Sequence, residues 1–457
     1  MKTKYSKDQF NILVVVLLTS FICTFSGNAL NLSIPAIEAD FGVSAKAVGW
    51  VITIYTLVCA AAAVPFGKVA DILDRKKIFC IGLGLFNFCS IACVFAWSLP
   101  AMLVFRVFQG IGSSMIFATN MAILVGAFDN RERGKVLGIS TCATYIGLSS
   151  GPVLGGILNQ HFGWQSILVV TFALGIVSLY LAITKVPKQL EEEVKIKNFD
   201  VAGTALYCIG ITCLMYGISI IDQGILAYVL TGVGIILTVT FVKVELKVVD
   251  PIVKMQLFKK SKAFLCSNLA ALMNYGATSA ITYLMSIYLQ MAKGFSSQTA
   301  GLILITAPLI QALLSPKAGR LADKHSPFKL SSAGMGVCAV ALGLLVFLKA
   351  DSPIWYVIGS LAVVGVGFAL FSAPNTSAIM GEVDKEDYGI ASSMLATMRS
   401  IGFTVSMALV TLIVGLYMGS SGMNQVSGEV MITTIRTCLL VFCGISLVGI
   451  FISLKRE

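Results

Sequence analysis

Charge is what this chain has least of. Only 12% of its 457 residues are Asp, Glu, Lys or Arg, where a soluble domain carries about 25%. That scarcity excludes a cytosolic enzyme and a disordered scaffold alike. Histidine is nearly missing: His161 and His325 are the two present, both in expected loops, so no zinc or haem site is expected. Paired acids, histidine clusters and a nucleophile beside a base are missing too, which argues against an intramembrane enzyme. The longest expected loops, 185–200 and 243–262, leave no room for a soluble sensor domain. What fills the chain instead is apolar: 57% of residues, with a mean hydropathy of +0.89. Twelve cysteines are scattered through those apolar runs. Without loop pairing or metal-ligand spacing they read as small hydrophobes rather than as a disulfide framework. The main solvent of this chain is lipid.

Crossing the hydrocarbon takes about 20 apolar residues in a helix. Fourteen such segments can be marked, from about 11–32 to about 431–453, separated by short breaks with Gly, Pro or charge. The first is too long for the core of a signal peptide and no small-residue cleavage site follows, so it is expected to stay as a span. All but six of the 33 Lys and Arg fall on one side, hereafter the basic end. Lys46, Lys293, Lys349 and Arg436 fall on the other, and Arg106 and Arg399 inside helices. By the positive-inside rule the basic end is cytoplasmic and holds both termini, as an even number of spans requires. Topology thus accounts for the surplus of cations, and no nucleic-acid partner is expected.

The two long basic loops bracket a pair of helices at about 201–242, leaving six helices on either side. The expected fold is an all-α membrane protein: a six-helix bundle over 1–185, a linker with two further spans over 186–262, and a second six-helix bundle over 263–457. A short repeat supports this division. Gly67-Lys-Val-Ala-Asp71 follows the second segment and Gly319-Arg-Leu-Ala-Asp323 follows the tenth. Parallel six-helix repeats about an axis along the membrane normal are a transporter design.

Three constellations stand out. Gly67, Asp71 and Arg75, with Asp74, Lys76 and Lys77, put a carboxylate and cations beside a glycine that permits close helix approach. Such a carboxylate can accept from helix-end amides or pair with arginine. This cluster, with its echo at Gly319 and Asp323, is expected to latch the basic ends together. Arg106, with Gln109, Gly110 and Gly112, sits inside the fourth segment. A mid-helix arginine costs about 2.5–3.5 kcal/mol to insert and is expected to face a cavity or a partner. In the fifth segment Gly147, Gly151 and Gly155 recur at every fourth position, joined by Pro152 and Gly156. They make a flat stripe for close packing, beside a proline that removes one backbone hydrogen bond, as a gate would need. Asn28, Asn31, Asn120, Tyr145, Asn268, Asn274, Gln311 and Asn375 are among the uncharged candidates to line a central cavity.

In this order the constellations resemble the major facilitator superfamily, and within it the 14-helix drug:proton antiporter branch of multidrug and tetracycline efflux proteins. The loop at Gly67–Lys77 is similar to the family's G-x-L-a-D-R-x-G-R-K signature, and Leu103–Gly112 to its fourth-helix arginine motif. Gly147–Gly156 is similar to the G-x-x-x-G-P-x-x-G-G motif of exporters. Asn28–Pro35 resembles the end of the first-helix motif, with Asn31 and Pro35 retained, and Arg399-Ser-Ile-Gly402 the arginine–glycine pair of the thirteenth helix. Ile72 and Asp74 depart from the signature, standing where it has an arginine and a second glycine, and Ser26 stands where the branch carries an aspartate. The resemblance implies two bundles alternating in access, with export driven by proton antiport, in a bacterial plasma membrane and in the setting of antibiotic resistance. It implies transport or coupling roles for Arg106, Gln109, Asn31 and Arg399. It implies an exporter gate at Gly147, Gly151, Pro152, Gly155 and Gly156, and a latch at Gly67, Asp71, Arg75, Gly319 and Asp323.

Proton coupling needs a carboxylate or histidine whose pKa its surroundings can move. None of the 22 acids falls in the middle of a segment; Glu38 and Asp40 lie just past the first, and Asp222 at the outer end of the seventh. Three readings stay open. Asp71 or another rim acid couples; a different ion couples; or the substrate is neutral or anionic and is met by Arg106 and Arg399. The expected function is proton-driven export of small amphipathic compounds, cationic ones if the resemblance holds, by a monomer with no cofactor or metal. The alternative is transport of a specific metabolite, in either direction, with another coupling ion. A transport-inactive membrane sensor stands behind both.

Overall fold

The computed structural model describes residues 5–43, 45–187, 200–221, 224–248, 250–418 and 428–456. Asp222 and the side chains of Asn31, Pro35 and Pro152 lie outside the described residues. Among those described there is no strand, and fourteen helices run to 17 residues or more. They are α1 Lys7–Ala29, α2 Ala45–Ile72, α3 Arg75–Val94, α4 Leu99–Ala127, α5 Arg133–Phe162, α6 Gln165–Lys185 and α7 Val201–Ser219. Then come α8 Ile225–Glu245, α9 Lys262–Thr278, α10 Thr306–Ala322, α11 Pro327–Val346, α12 Ile354–Gly381, α13 Tyr388–Met418 and α14 Gly428–Leu454. Twelve of them, all but α5 and α9, carry or belong to a stretch long and apolar enough to cross a membrane, α10 together with the short helix Ser297–Leu304 before it. The stretch expected as one ninth segment, 263–291, is built in pieces: α9 stops at Thr278, and a helix at Ile281–Ile287 and a π turn at Tyr288–Ala292 continue it.

Polar residues start the helices where the apolar runs begin. Ser6, Ser98, Asp200, Ser261 and Ser326 each accept from a backbone N–H of the first turn, a cap typically worth about 1 kcal/mol. Asp74 does the same for α3, accepting from the Lys76 N–H at 2.8 Å. Its departure from the family glycine therefore has a local use.

Helix packing follows one plan twice. α1 packs on α5 and α6, α2 on α4, and α3 on α4 and α6. Eight helices later α9 packs on α13 and α14, α10 on α12, and α11 on α12 and α14. Contacts between the two groups are reciprocal in the same sense: α5 lies along α10, and α13 along α2. The α7–α8 hairpin sits outside this plan, with α7 against α2 and α13. Tyr207, Ile211 and Met215 join Leu57, Ala60, Val64 and Met394 there in one buried cluster. On α8, Ile225, Val229, Ile236 and Val239 are exposed, as suits a helix whose outer face meets lipid.

Candidate transport site

Two clasps related by the sequence repeat join the groups at the basic end. Asp71, in the last turn of α2, accepts from the N–H groups of Gly389 and Ile390, both at 2.9 Å, in the first turn of α13. Asp323, just past α10, accepts from the N–H groups of Gly134 and Lys135 at 2.5 and 2.8 Å, in the first turn of α5. Each carboxylate thus meets unpaired amides and the positive end of a helix dipole. Glycines set the approach. A Cβ on Gly67 would strike the Gly389 carbonyl and the Ser393 side chain, and one on Gly319 would strike the Gly134 carbonyl.

Arginines reinforce the first clasp. Arg75, 2% exposed, donates to Asp71 Oδ1 from Nε and Nη2 at 3.0 and 2.7 Å. Its Nη2 also donates to the carbonyls of Lys385 and Glu386, at the turn before α13. Arg133, at the start of α5, donates to the Met380 carbonyl at 3.0 Å and to the Tyr388 hydroxyl at 2.6 Å. The Tyr388 ring takes both guanidiniums, Arg75 at 5.8 Å and Arg133 at 5.5 Å from its centroid. Lys254, from the α8–α9 connection, pairs with Asp387 at 2.8 Å. At the second clasp, burial holds the Asp323 carboxyl above the usual carboxylate range, against the pull of the Lys135 and Gly134 amides.

Arg106 lies elsewhere. It is fully buried inside the first group, where Nε donates to the Val51 carbonyl at 2.9 Å and Nη1 to Gln109 Oε1 at 2.6 Å. Its guanidinium stands over the Tyr55 ring at 4.6 Å. Gln109 passes the chain on to Ser90 Oγ at 2.7 Å. Arg106 and Gln109 are therefore together, as their spacing implies, but in the packing of α2, α3 and α4 rather than between the groups.

The exporter-type stripe has a partner. A Cβ on Gly147 would strike Phe21 and Thr24, one on Gly151 would crowd Asn28, and one on Gly155 would strike Ala29. The helix laid on the stripe is α1, and Gly156 follows on α5. Gly134 and Gly138, toward the basic end of the same helix, lie instead against α10. α5 thus has one end on each group, as a pivot requires.

Of the two arginines inside helices, Arg399 is the one that reaches the space between the groups. A cavity of about 30 Å³, room for a water or two, is lined by Ser20, Phe117, Asn120, Met121, Thr144, Ser392, Leu395, Ala396 and Arg399. Arg399 stands about 16 Å along α13 from its basic end, at about 1.5 Å per residue. Its guanidinium lies over the Tyr275 ring at 5.2 Å, and its Nε has no hydrogen-bond partner. Of the uncharged residues expected here, Asn120 lines the cavity and Tyr145 stands beside Phe368, ring centroids 6.3 Å apart. Asn268, Asn274, Gln311 and Asn375 are instead buried within the second group, each with an unpartnered side-chain atom. Arg133, Gly134, Tyr388, Gly389 and Ser392 were not singled out from sequence. The signal that could have found them is the second repeat, Arg133-Gly134 and Tyr388-Gly389, each opening a long helix.

The model of the Major Facilitator Superfamily matches residues 16–407 and again 264–457. The chain belongs to the major facilitator superfamily, a family of transporters rather than enzymes, and is a multi-pass membrane protein that carries small molecules. Riboflavin transporter RibZ of Clostridioides difficile is 32% identical over 88% of this chain and 87% of that protein. Multidrug resistance protein Stp of Mycobacterium tuberculosis is 26% identical over 91% of this chain and 78% of its own. Cephamycin export protein CmcT of Amycolatopsis lactamdurans is 25% identical over 92% and 88%. These relatives agree with the drug:proton antiporter branch. The crystal structure of the human organic anion transporter MFSD10 superposes with a TM-score of 0.70 at 14% identity, over 97% of this chain and 99% of that one. At that identity the likeness is one of fold.

Proposed function

We propose that this protein exports small amphipathic compounds across a bacterial plasma membrane by proton antiport, as a monomer. In this reading fourteen spans place both termini in the cytoplasm. Residues 1–185 and 263–457 are the rocking bundles, and 186–262 is the linker with its two additional helices. Asp71 and Arg75, with Gly67, Gly319 and Asp323, close the cytoplasmic side. Gly147, Gly151, Pro152, Gly155 and Gly156 let α5 pivot on α1. The observation that carries the reading is the pair of reciprocal clasps, each joining a carboxylate of one group to a helix start of the other. Separating the groups breaks both clasps and leaves the packing within each group untouched. The test is dye efflux from sealed proteoliposomes under an imposed pH gradient: flux abolished by a proton uncoupler supports the reading, and gradient-independent flux refutes the coupling.

A second reading is transport of one specific metabolite with another coupling ion. It is favoured by RibZ, which at 32% identity is more similar than Stp and CmcT at 26% and 25%. Saturable flux of a single compound from a broad panel would decide for it.

A further inference from the structure

We infer that the cavity at Arg399 is a substrate subsite for amphipathic organic anions; the inference rests on the transport reading above. A guanidinium stays charged in any protein setting and, away from water, requires a counter-charge or several acceptors. Arg106 has a carbonyl, an amide oxygen and a ring face. Arg399 has Tyr275, whose ring lies under its guanidinium, but no carboxylate among the described residues, and its Nε has no partner. The polar atoms beside it are engaged with one another: Asn120 donates to Ser20 Oγ at 2.9 Å and accepts from Thr19 at 3.2 Å. Ser392 donates to the Phe117 carbonyl at 2.8 Å, and Thr144 to the Ser140 carbonyl at 3.2 Å.

Nor can a neighbouring helix supply the missing charge. α4, α5, α9, α12 and α13 contain no Asp or Glu, and α1 has Asp8 alone, in its first turn at the basic end. α2 has Asp71 alone, taken up there by Arg75 and two amides, and α14 has Glu429 alone, in its first turn at the opposite end. A cationic substrate entering this space would meet a like charge with no carboxylate beside it. In the closed form the cavity of about 30 Å³ takes no more than water. Once it widens as the groups move apart, an anion would pair with the guanidinium, its apolar body against Phe117, Met121 and Leu395 and the aromatic wall of Tyr275 and Phe368, 5.9 Å apart. The ligand chemistry is one carboxylate or sulfonate on a planar apolar frame.

The test uses three compounds that share one ring system: 1-naphthoate, 1-naphthamide and 1-naphthylmethylammonium. Binding to the purified full-length chain is measured by equilibrium dialysis, and flux of the two charged compounds in proteoliposomes. The expected order is naphthoate first, at least tenfold over the ammonium compound. Arg399→Gln should bring that ratio close to one, and Arg399→Lys should retain most of it; both variants are first checked for a monodisperse size-exclusion peak. Equal or tighter binding of the cation by the unaltered chain, no binding of any of the three, or an unchanged ratio in Arg399→Gln overturns the inference. Efflux of cationic dyes with naphthoate ignored discards the anion site and keeps transport. No flux of any compound discards transport itself.

Discussion

Replacing Gly319 by alanine isolates the close approach at the second clasp. The atoms a new Cβ would meet are all backbone: the Gly134 carbonyl oxygen, its carbon at 2.9 Å and the Gly138 Cα at 3.0 Å. No rotamer change can relieve that contact, so α5 and α10 must separate at the basic end. Alanine also favours the helix over glycine by roughly 0.5–1 kcal/mol, but α10 remains a helix whether the groups are together or apart. That gain cancels between the two conformations and leaves the clash alone. Overpacking typically costs about 1–3 kcal/mol, which moves the closed-to-open ratio by about 5–150-fold.

The readout is access to the cavity from the basic end. A cysteine in place of Ala396, on the cavity wall, is labelled with a membrane-impermeant maleimide, and the rate in the parent chain is subtracted as background. The twelve native cysteines are all buried or half-buried, which keeps that background low. Gly319→Ala should raise the labelling rate by a factor within the range above. Gly336→Ala, on α11 with open space around its Cβ position, should leave it unchanged. Equal rates in Gly319→Ala and the parent would mean that this glycine approach does not hold the basic end closed.

Three further outcomes are expected. Asp71→Asn leaves Arg75 buried without a counter-charge, and breaking such a pair costs about 3–5 kcal/mol; Asp323→Asn, with no buried arginine partner, should raise maleimide access far less, and the reverse ranking would sink the asymmetry between the clasps. Burial raises the Asp323 carboxyl in the closed clasp, so the closed form binds the proton more tightly than the open one. Its share of closure is complete below the solvated value of about 3.9 and fades as pH rises through the raised value; access should therefore grow with pH across that window, and Asp323→Asn should flatten the profile, with Glu132 and Lys135 the other charges facing this group. Arg106→Ala leaves Gln109 and the Val51 carbonyl without their guanidinium inside the first group, at a cost of several kcal/mol. The midpoint of heat-induced loss of the monodisperse peak should fall, and an unchanged midpoint with transport lost would refute this packing role and point to a direct part for Arg106 in transport.

Helix content and the repeat were legible because both are local. Apolar length marks a segment wherever it lies, and Gly67–Asp71 and Gly319–Asp323 share Gly, Ala and Asp at the same spacing, with a cation and an aliphatic residue between. Their partners were not legible: Gly389 is 318 residues from Asp71, and Gly134 is 189 from Asp323. Only the fold brings those pairs together. The two arginines show the same limit. An arginine inside an apolar run announces that something unusual surrounds it, but not whether a carbonyl and a glutamine enclose it, as at Arg106, or a cavity does, as at Arg399.

Acids were the hardest to read, for a physical reason. A carboxylate at a helix end looks the same in sequence whether water or a second helix covers it. Asp71 and Asp323 are both covered by helix starts from the opposite group. Glu245, the last residue of α8 and 2% exposed, accepts from the Val253 N–H at 3.0 Å. Its Oε1 and Asp200 Oδ2 are buried without partners beside Gly203, where a Cβ would strike both. The absence of a mid-helix acid therefore does not leave the chain without buried carboxyl groups: Asp71 and Glu245 lie at helix ends on the basic side.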